Sequence, residues 1–200
     1  HPIQTMADGT IKQVNPFSGT EVWTVPGRGN WPLTSPNTNP LPLGADAHTH
    51  SCAFCSGNLT ATPPEKSRMV RTDGGWEILK GLQHSELTNT TAEFRRVPNL
   101  FEIVTYDYWE KNYGFTMDPD LLERMERYMS EPAGKEHVFN IVRTRLKAAG
   151  LNPDVPEEEL RERAKGYFGG GHDVIIGRRH FTDGATHDNQ LASSGTLTED

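Results

Sequence analysis

Ala164-Lys-Gly-Tyr-Phe-Gly-Gly-Gly-His-Asp-Val-Ile-Ile176 is where one kind of chain gives way to another. Upstream of it, apolar residues recur with a helical period. At Gly169-Gly-Gly171 the period stops, because successive glycines favour neither a helix interior nor a strand. Asp173-Val-Ile-Ile176 follows as a short run, apolar on both faces, which predicts a strand in the centre of a sheet. A helical block that feeds a strand implies a mixed chain.

Outward from that junction, Asp118-Pro-Asp120 sets a capping acid before a proline at the first helical position. Leu121, Leu122, Met125, Tyr128 and Met129 then share one face. Val138, Ile141, Val142, Leu146 and Ala149 repeat the pattern, and Gly150 is placed to end it. A third helix is expected from Pro156 to about Phe168, so helices fill 118–168. Further upstream, apolar segments at Glu77 to Leu82 and Phe94 to Tyr106 read as strands. Thr10 to Val25 alternates loosely around the turn Asn15-Pro-Phe-Ser-Gly19, which predicts a hairpin. Pro26 to Gly44 carries Pro32, Pro36, Pro40 and Pro42 with no period of either kind and is expected to run over the surface. The class predicted is α+β, with a largely antiparallel sheet and helices packed on one face. Two hundred residues suit one domain with at most a small extension.

Acidic residues outnumber basic ones by 27 to 20, for a net charge of -7. That excludes a protein that holds nucleic acid by clustered Lys and Arg, while leaving room for a local anion site. No apolar run approaches the roughly 18 residues of a membrane span, and His1-Pro-Ile3 has neither the basic nor the apolar part of a signal peptide. A soluble, cytoplasmic protein with no membrane partner is expected. The chain begins without Met and ends at Leu197-Thr-Glu-Asp200, a helix entry with no helix after it, and so reads as a fragment.

Both cysteines lie in Cys52-Ala-Phe-Cys55. In an intracellular protein this spacing offers a metal knuckle, a redox dithiol or a pair of inert thiols, and a structural disulfide is the least expected use. Ser51 before the pair and Ser56-Gly-Asn58 after it have turn composition, which favours a knuckle over the helix start that a thioredoxin-like site needs. Two Cys cannot close a tetrahedral zinc site, so His, Asp or Glu from elsewhere must complete it. His48 and His50 sit beside the pair in a polar setting that reads as solvated loop. His172 and His180 bracket the Val174–Ile176 strand and are comparable candidates, and His187 is a poorer one.

The order of segments resembles the galactose-1-phosphate uridylyltransferase family, a branch of the histidine-triad superfamily of nucleotidyl transferases and phosphorylases. The resemblance rests on Asn15-Pro-Phe-Ser-Gly-Thr-Glu-Val-Trp23, Gly27-Arg28 with Pro32, Cys52-Ala-Phe-Cys55-Ser-Gly-Asn58, Arg96-Val-Pro-Asn99-Leu-Phe101, and His172-Asp-Val-Ile-Ile176 leading to His180. In order and approximate spacing these match the family's N-terminal half, with 118–168 as an inserted helical block and the C-terminal half absent. The resemblance implies a sheet of the histidine-triad type, a structural zinc ion held by Cys52, Cys55 and His180 with the fourth ligand outside this chain, a phosphate contact by Arg28, and a nucleoside contact by Asn99. A guanidinium fork suits bidentate phosphate binding, and the turn Val97-Pro-Asn99 is equally explained as a strand end.

The chain departs from the family where Trp31 replaces a second Arg and Leu100 replaces an acid. It also lacks the His-x-His-x-Gln motif of the family's nucleophile; His48-Thr-His50 is followed by Ser51 and Cys52 and lies on the wrong side of the knuckle. The activity implied is nucleotidyl (uridylyl) transfer between a nucleoside-diphosphate sugar and a sugar 1-phosphate in a full-length parent, in galactose metabolism, with a nucleotidyl-histidine intermediate, a possible homodimer, and no turnover by these 200 residues alone. Two alternatives stand beside it. One is a nucleotide-sugar or dinucleoside-polyphosphate phosphorylase. The other is a non-catalytic, zinc-stabilised nucleotide-binding or scaffold module, which Trp31, Leu100 and the missing motif favour.

Overall fold

A computed structural model describes residues 1–27, 39–179 and 184–190. Arg28, Trp31 and His180 lie outside the described residues. Three short strands come first: β1 (Ile3–Thr5), β2 (Ile11–Val14) and β3 (Glu21–Thr24), paired antiparallel in the order β1-β2-β3. The turn of the β2–β3 hairpin is organised by Asn15, whose Oδ1 accepts from the backbone N–H of Phe17 at 2.9 Å and of Ser18 at 3.2 Å, a short-range arrangement that Asn favours. The single turn α1 (Ala47–His50) then leads into the cysteine pair.

The second sheet contains β4 (Ser67–Thr72), β5 (Gly75–Lys80) and β6 (Ala92–Pro98), joined after the helices by β7 (Asp173–Gly177). All pairings are antiparallel, in the order β5-β4-β6-β7. One rung crosses all four strands, because Leu79 pairs with Arg68, Arg68 with Arg95, and Arg95 with Ile176. Side chains on one rung point to one face, and here that face is the covered one: Arg68, Arg95 and Ile176 are buried, while Ile78 and Ile175, on the other face, are exposed. Asp173 locks the β4, β6 and β7 ends together, pairing with Lys66 Nζ at 2.6 Å and with Arg96 Nε at 2.6 Å.

Between β6 and β7 run α2 (Tyr106–Tyr113), α3 (Pro119–Ser130), α4 (Pro132–Ala148), α5 (Glu157–Ala164) and the single turn α6 (Gly166–Gly169). The α3 start is the expected one: the Asp118 carboxylate accepts from the N–H of Asp120 at 2.9 Å with Pro119 in the first turn. Met125, Tyr128, Met129, Val138, Phe139, Val142, Leu146, Leu160, Ala164 and Phe168 form the core of this block. The α3–α4 corner is tight, and a Cβ on Gly134 would press against the Tyr128 carbonyl oxygen and lie 3.3 Å from the Tyr128 ring. The N-terminal ribbon leans on α2, where Trp23 Nε1 donates to the Tyr108 hydroxyl at 3.1 Å and Ala7 N to Asn112 Oδ1 at 2.6 Å.

The α+β class is as the sequence predicts. Three elements differ. Strand β7 is an edge strand among the described residues, not a central one; its apolar run reflects helices over one face, while Ile175 faces outward. The strand expected to continue to Tyr106 stops at Pro98, and helix α2 begins at Tyr106. Thr105 caps it by accepting from Tyr108 N–H at 3.3 Å, and Gly114, at φ 65°, closes it in the left-handed region. Burial of Tyr106 and Tyr108 against the fold outweighs the strand preference of aromatic residues. The third expected helix, Pro156 to Phe168, is present but divided at Lys165 into α5 and α6.

Candidate functional site

The cysteine pair is shaped by its own turn. Cys55 N–H donates to the Cys52 carbonyl at 3.1 Å, Cys52 N–H donates to Cys55 Sγ at 3.3 Å, and the two sulfurs stand 3.5 Å apart. Two thiolates on one tetrahedral zinc, at about 2.3 Å each, would stand about 3.8 Å apart, whereas a disulfide needs about 2.05 Å. The separation suits a metal chelate and equally a reduced dithiol in S–H···S contact, and it does not suit a disulfide. Asn58 braces the turn, its Nδ2 donating to the carbonyls of Cys52 at 2.8 Å and His50 at 3.0 Å. Cys55 is fully buried, and burial pushes its thiol up from the usual range.

His50 is half-exposed on the one-turn α1, where a solvated loop is expected from sequence. Its Nδ1 lies 2.7 Å from Thr49 Oγ1, and its ring rests on Gly57, where an added Cβ would come within 2.6 Å of Cε1. Among the described residues, no group of three or more His, Cys, Asp and Glu side chains gathers as a metal set. Cys52 and Cys55 are the two candidate donors that the structure brings together, and His180 falls outside the described residues.

A cavity of about 240 Å³ adjoins the knuckle. Its lining includes Phe54 and Ser56 from the knuckle turn, Ile176 and Arg178 at the end of β7, and Arg68 and Arg95 of β4 and β6. Knuckle and β7 thus face one space, and His180 follows Arg178 by two positions in sequence. Beneath lies a buried ionic cluster: Glu65 accepts from Arg68 Nε at 2.5 Å and from Arg95 Nε at 2.7 Å. Arg124 of α3 donates to the Glu65 carbonyl at 2.7 Å, and burial pulls its guanidinium down from the usual range.

Asn99 lies elsewhere. It follows β6 directly, its backbone N–H donating to the His172 carbonyl at 3.0 Å and its Oδ1 accepting from Phe101 N–H at 2.9 Å. It lines a second cavity of about 240 Å³ with Thr105, Arg145, Arg163 and Tyr167. Burial there pushes the Tyr167 hydroxyl up to about 12, so it stays protonated at neutral pH. His172 is exposed, with Nδ1 3.5 Å from Glu102, and His187 pairs through Nδ1 with Thr186 Oγ1 at 2.9 Å.

The structure brings Cys52 and Cys55 together and sets Asn99 on a cavity that the knuckle does not line. Glu65, Arg68 and Arg95 are the polar residues that sequence reading passes over. Their signal was the phase of Arg68 with the buried Val70 in β4, two residues apart on one face.

One family model, described as Domain of unknown function (DUF4921), matches residues 6–200. No curated protein and no solved structure matches the chain.

Proposed function

The chain belongs to the DUF4921 family, and from that premise we propose that it is a zinc-stabilised module of a nucleotidyl transferase resembling the galactose-1-phosphate uridylyltransferases. The observation that carries the reading is the knuckle: thiols 3.5 Å apart in a turn whose Phe54 and Ser56 line a cavity shared with the end of β7, with His180 shortly after that strand in sequence. Cys52, Cys55 and His180 would hold the ion with a fourth ligand from outside these residues. Zinc bound there would be structural, tying the knuckle to the sheet. Such sites contribute about 10–16 kcal/mol of apparent binding free energy, comparable to or above the stability of a whole domain.

Of the remaining residues, Arg28 would neutralise phosphate charge and Asn99 would help orient a nucleoside of the nucleotide sugar, both positioning roles. Asn99 spends its Oδ1 on the turn to Phe101, which leaves its Nδ2 to meet a ligand in the cavity beside α4. The nucleophile motif is not among the 200 residues, so no covalent step belongs to them. The second reading is a non-catalytic, zinc-stabilised scaffold module, which the Asn99 carbonyl committed to its own turn favours.

Zinc per chain, measured by plasma mass spectrometry on the wild type, Cys52→Ser and His180→Ala, tests the premise. The expected result is about one zinc in the wild type, lost in both variants with a steep fall in Tm, and the same fall after chelation. Metal-free protein with an unchanged Tm in all three would remove the metal site and the family resemblance with it. Calorimetric titration with UDP-sugars then separates the two readings, since heat of binding that Arg28→Ala abolishes belongs to a nucleotide site.

A further inference from the structure

Among the described residues, four charged side chains line the cavity beside α4, and three of them are committed elsewhere. Arg163 donates through Nε and Nη2 to Glu159 Oε1 at 2.9 and 2.7 Å, and Asp107 pairs with Lys111 at 3.1 Å. Glu102 Oε1 accepts from the backbone N–H groups of Gly171 at 2.9 Å and His172 at 3.1 Å. The fourth, Arg145, has no ion pair and no hydrogen bond among the described residues. Its guanidinium lies 5.9 Å from the centre of the Phe101 ring, near the limit of a cation–π contact, and that contact engages none of its N–H donors.

Tyr167 is its neighbour. The Arg145 charge opposes the rise that burial gives the Tyr167 hydroxyl, which stays a proton donor at neutral pH and has no hydrogen-bond partner among the described residues. Both residues are only part-buried, and neither the guanidinium nor the hydroxyl is among the unpartnered polar atoms sealed from water. Around these two donors the lining is apolar, with Leu100, Tyr106, Leu146 and Leu151. A largely apolar cavity with a few convergent polar groups is the usual form of a small-molecule site. The donors select the ligand's head: a guanidinium fork matches the two oxygens of a carboxylate, and a phenol adds a third hydrogen bond. Glu102 and Asp107 on the same lining would repel a second negative charge, so a monoanion suits the cavity better than a dianion.

We propose that this cavity binds a small carboxylic acid with an apolar body, its carboxylate on the Arg145 fork and the Tyr167 hydroxyl and its hydrocarbon against Leu100, Leu146 and Leu151. The volume of about 240 Å³ equals that of roughly eight liquid waters, room for a short branched or aromatic acid. A free acid and the C-terminal residue of a peptide present the same chemistry, and the test separates them. Most of the lining, from Val142 to Tyr167, belongs to the helical block at 118–168, for which the uridylyltransferase resemblance offers no counterpart. The site therefore does not rest on nucleotidyl transfer, and it uses neither the metal nor Arg28 nor Asn99.

The test titrates the full chain with isocaproate and with N-acetyl-leucine, against isocaproamide, acetate and sodium chloride at matched ionic strength. The Arg145 guanidinium and Tyr167 ring signals are followed by NMR. Saturable shifts of both signals with the two branched acids, at least ~10-fold weaker with acetate and absent with the amide and the salt, support the site. Tighter binding of N-acetyl-leucine than of isocaproate identifies a peptide C-terminus as the occupant, and equal or weaker binding identifies a free acid. Arg145→Gln is expected to weaken isocaproate at least ~10-fold, read on the Tyr167 signals. Tyr167→Phe, which removes one hydroxyl and leaves the ring in place, is expected to weaken it about 3–10-fold, read on Arg145. No saturable shift up to ~10 mM isocaproate overturns the proposal. So does an equal response to isocaproamide, to acetate or to chloride, or an affinity unchanged in both variants. The readout lies in the helical block and does not depend on metal content, so failure of the zinc reading and failure of this one give different results.

Discussion

Glu65 is the residue whose loss the fold should feel most. Its two carboxylate oxygens serve two buried guanidinium groups, and its backbone carbonyl receives a third from Arg124. Removing one member of a buried ionic set leaves uncompensated charge and typically costs about 3–5 kcal/mol. Glu65→Gln is therefore expected to lower stability by that order in urea unfolding. Glu126→Gln, which disturbs the exposed pair in which Arg161 Nη1 donates to both Glu126 oxygens at 2.8 Å, should cost at most about 1 kcal/mol. Equal losses in the two variants would contradict a buried role for Glu65. His137 carries a second residue-scale expectation. Its Nε2 lies 2.8 Å from the Thr62 carbonyl, which can only accept, so Nε2 bears the proton and Nδ1 accepts from the Tyr128 hydroxyl at 2.8 Å. Burial, the dominant cause, holds its pKa below the ordinary value of 6.5. A folded-state pKa below the unfolded one means that the unfolded chain binds the proton more readily. The stabilisation is thus complete above 6.5 and is lost as pH falls below it, so Tm should decline from pH 7 toward pH 5. His137→Gln, which keeps a donor for Thr62 but cannot charge, should flatten that decline; an unchanged slope would show that His137 does not titrate on unfolding. Neither residue was legible beforehand. A cysteine pair announces itself by spacing alone, whereas a buried Glu or His is distinguished from a surface one only by partners distant in sequence, as Thr62 is from His137.

At the scale of elements, the same contrast between local and distant causes separates what could be read from what could not. The α3 start, the α4 repeat and the β2–β3 hairpin depend on caps, periods and turns within a few residues, and they stand where the sequence places them. Helix α2 and the edge position of β7 depend on what packs against them. Tyr106-Asp-Tyr-Trp-Glu110 has strand-like composition, and only the fold decides that Tyr106 and Tyr108 are buried on a helix. Val174-Ile-Ile176 is apolar throughout, yet the face bearing Ile175 is open. The α3–α4 corner yields a prediction in which propensity and packing oppose each other. Alanine is favoured over glycine inside a helix by about 1 kcal/mol. At Gly134, however, the added methyl would press on the Tyr128 carbonyl, a backbone atom fixed by the preceding helix. Overpacking against fixed structure costs about 1–3 kcal/mol, so Gly134→Ala should destabilise, seen as a lower urea midpoint with unchanged m-value. A gain in stability would show that the corner can open without loss.

The whole molecule has two unlike ends. The helical block owns a contiguous core in which Val138, Ala164 and Phe168 are essentially inaccessible, while the β1–β3 ribbon presents most of its side chains to solvent, Ile3 and Val22 among them. Short, exposed antiparallel ribbons are marginal alone and draw stability from what they lean on. Here that support is α2, through the Trp23–Tyr108 and Ala7–Asn112 hydrogen bonds. The four-stranded sheet lies between these extremes, fastened to the helices on its covered face through the Arg124–Glu65 and His137–Thr62 contacts and open on the other. Regions with few buried apolar contacts open at lower free energy than the core. Native-state hydrogen exchange should therefore resolve three levels: ribbon amides from Lys12 to Thr24 exchanging first, β4 and β6 next, and α4 amides from Val138 to Leu146 last, near the global unfolding free energy. Trp23→Phe, which removes the indole donor, should speed exchange in the ribbon and leave α4 unchanged. Ribbon amides as slow as those of α4 would instead mean that the whole chain opens as one cooperative unit, with the ribbon held by packing stronger than its hydrogen bonds to α2 provide.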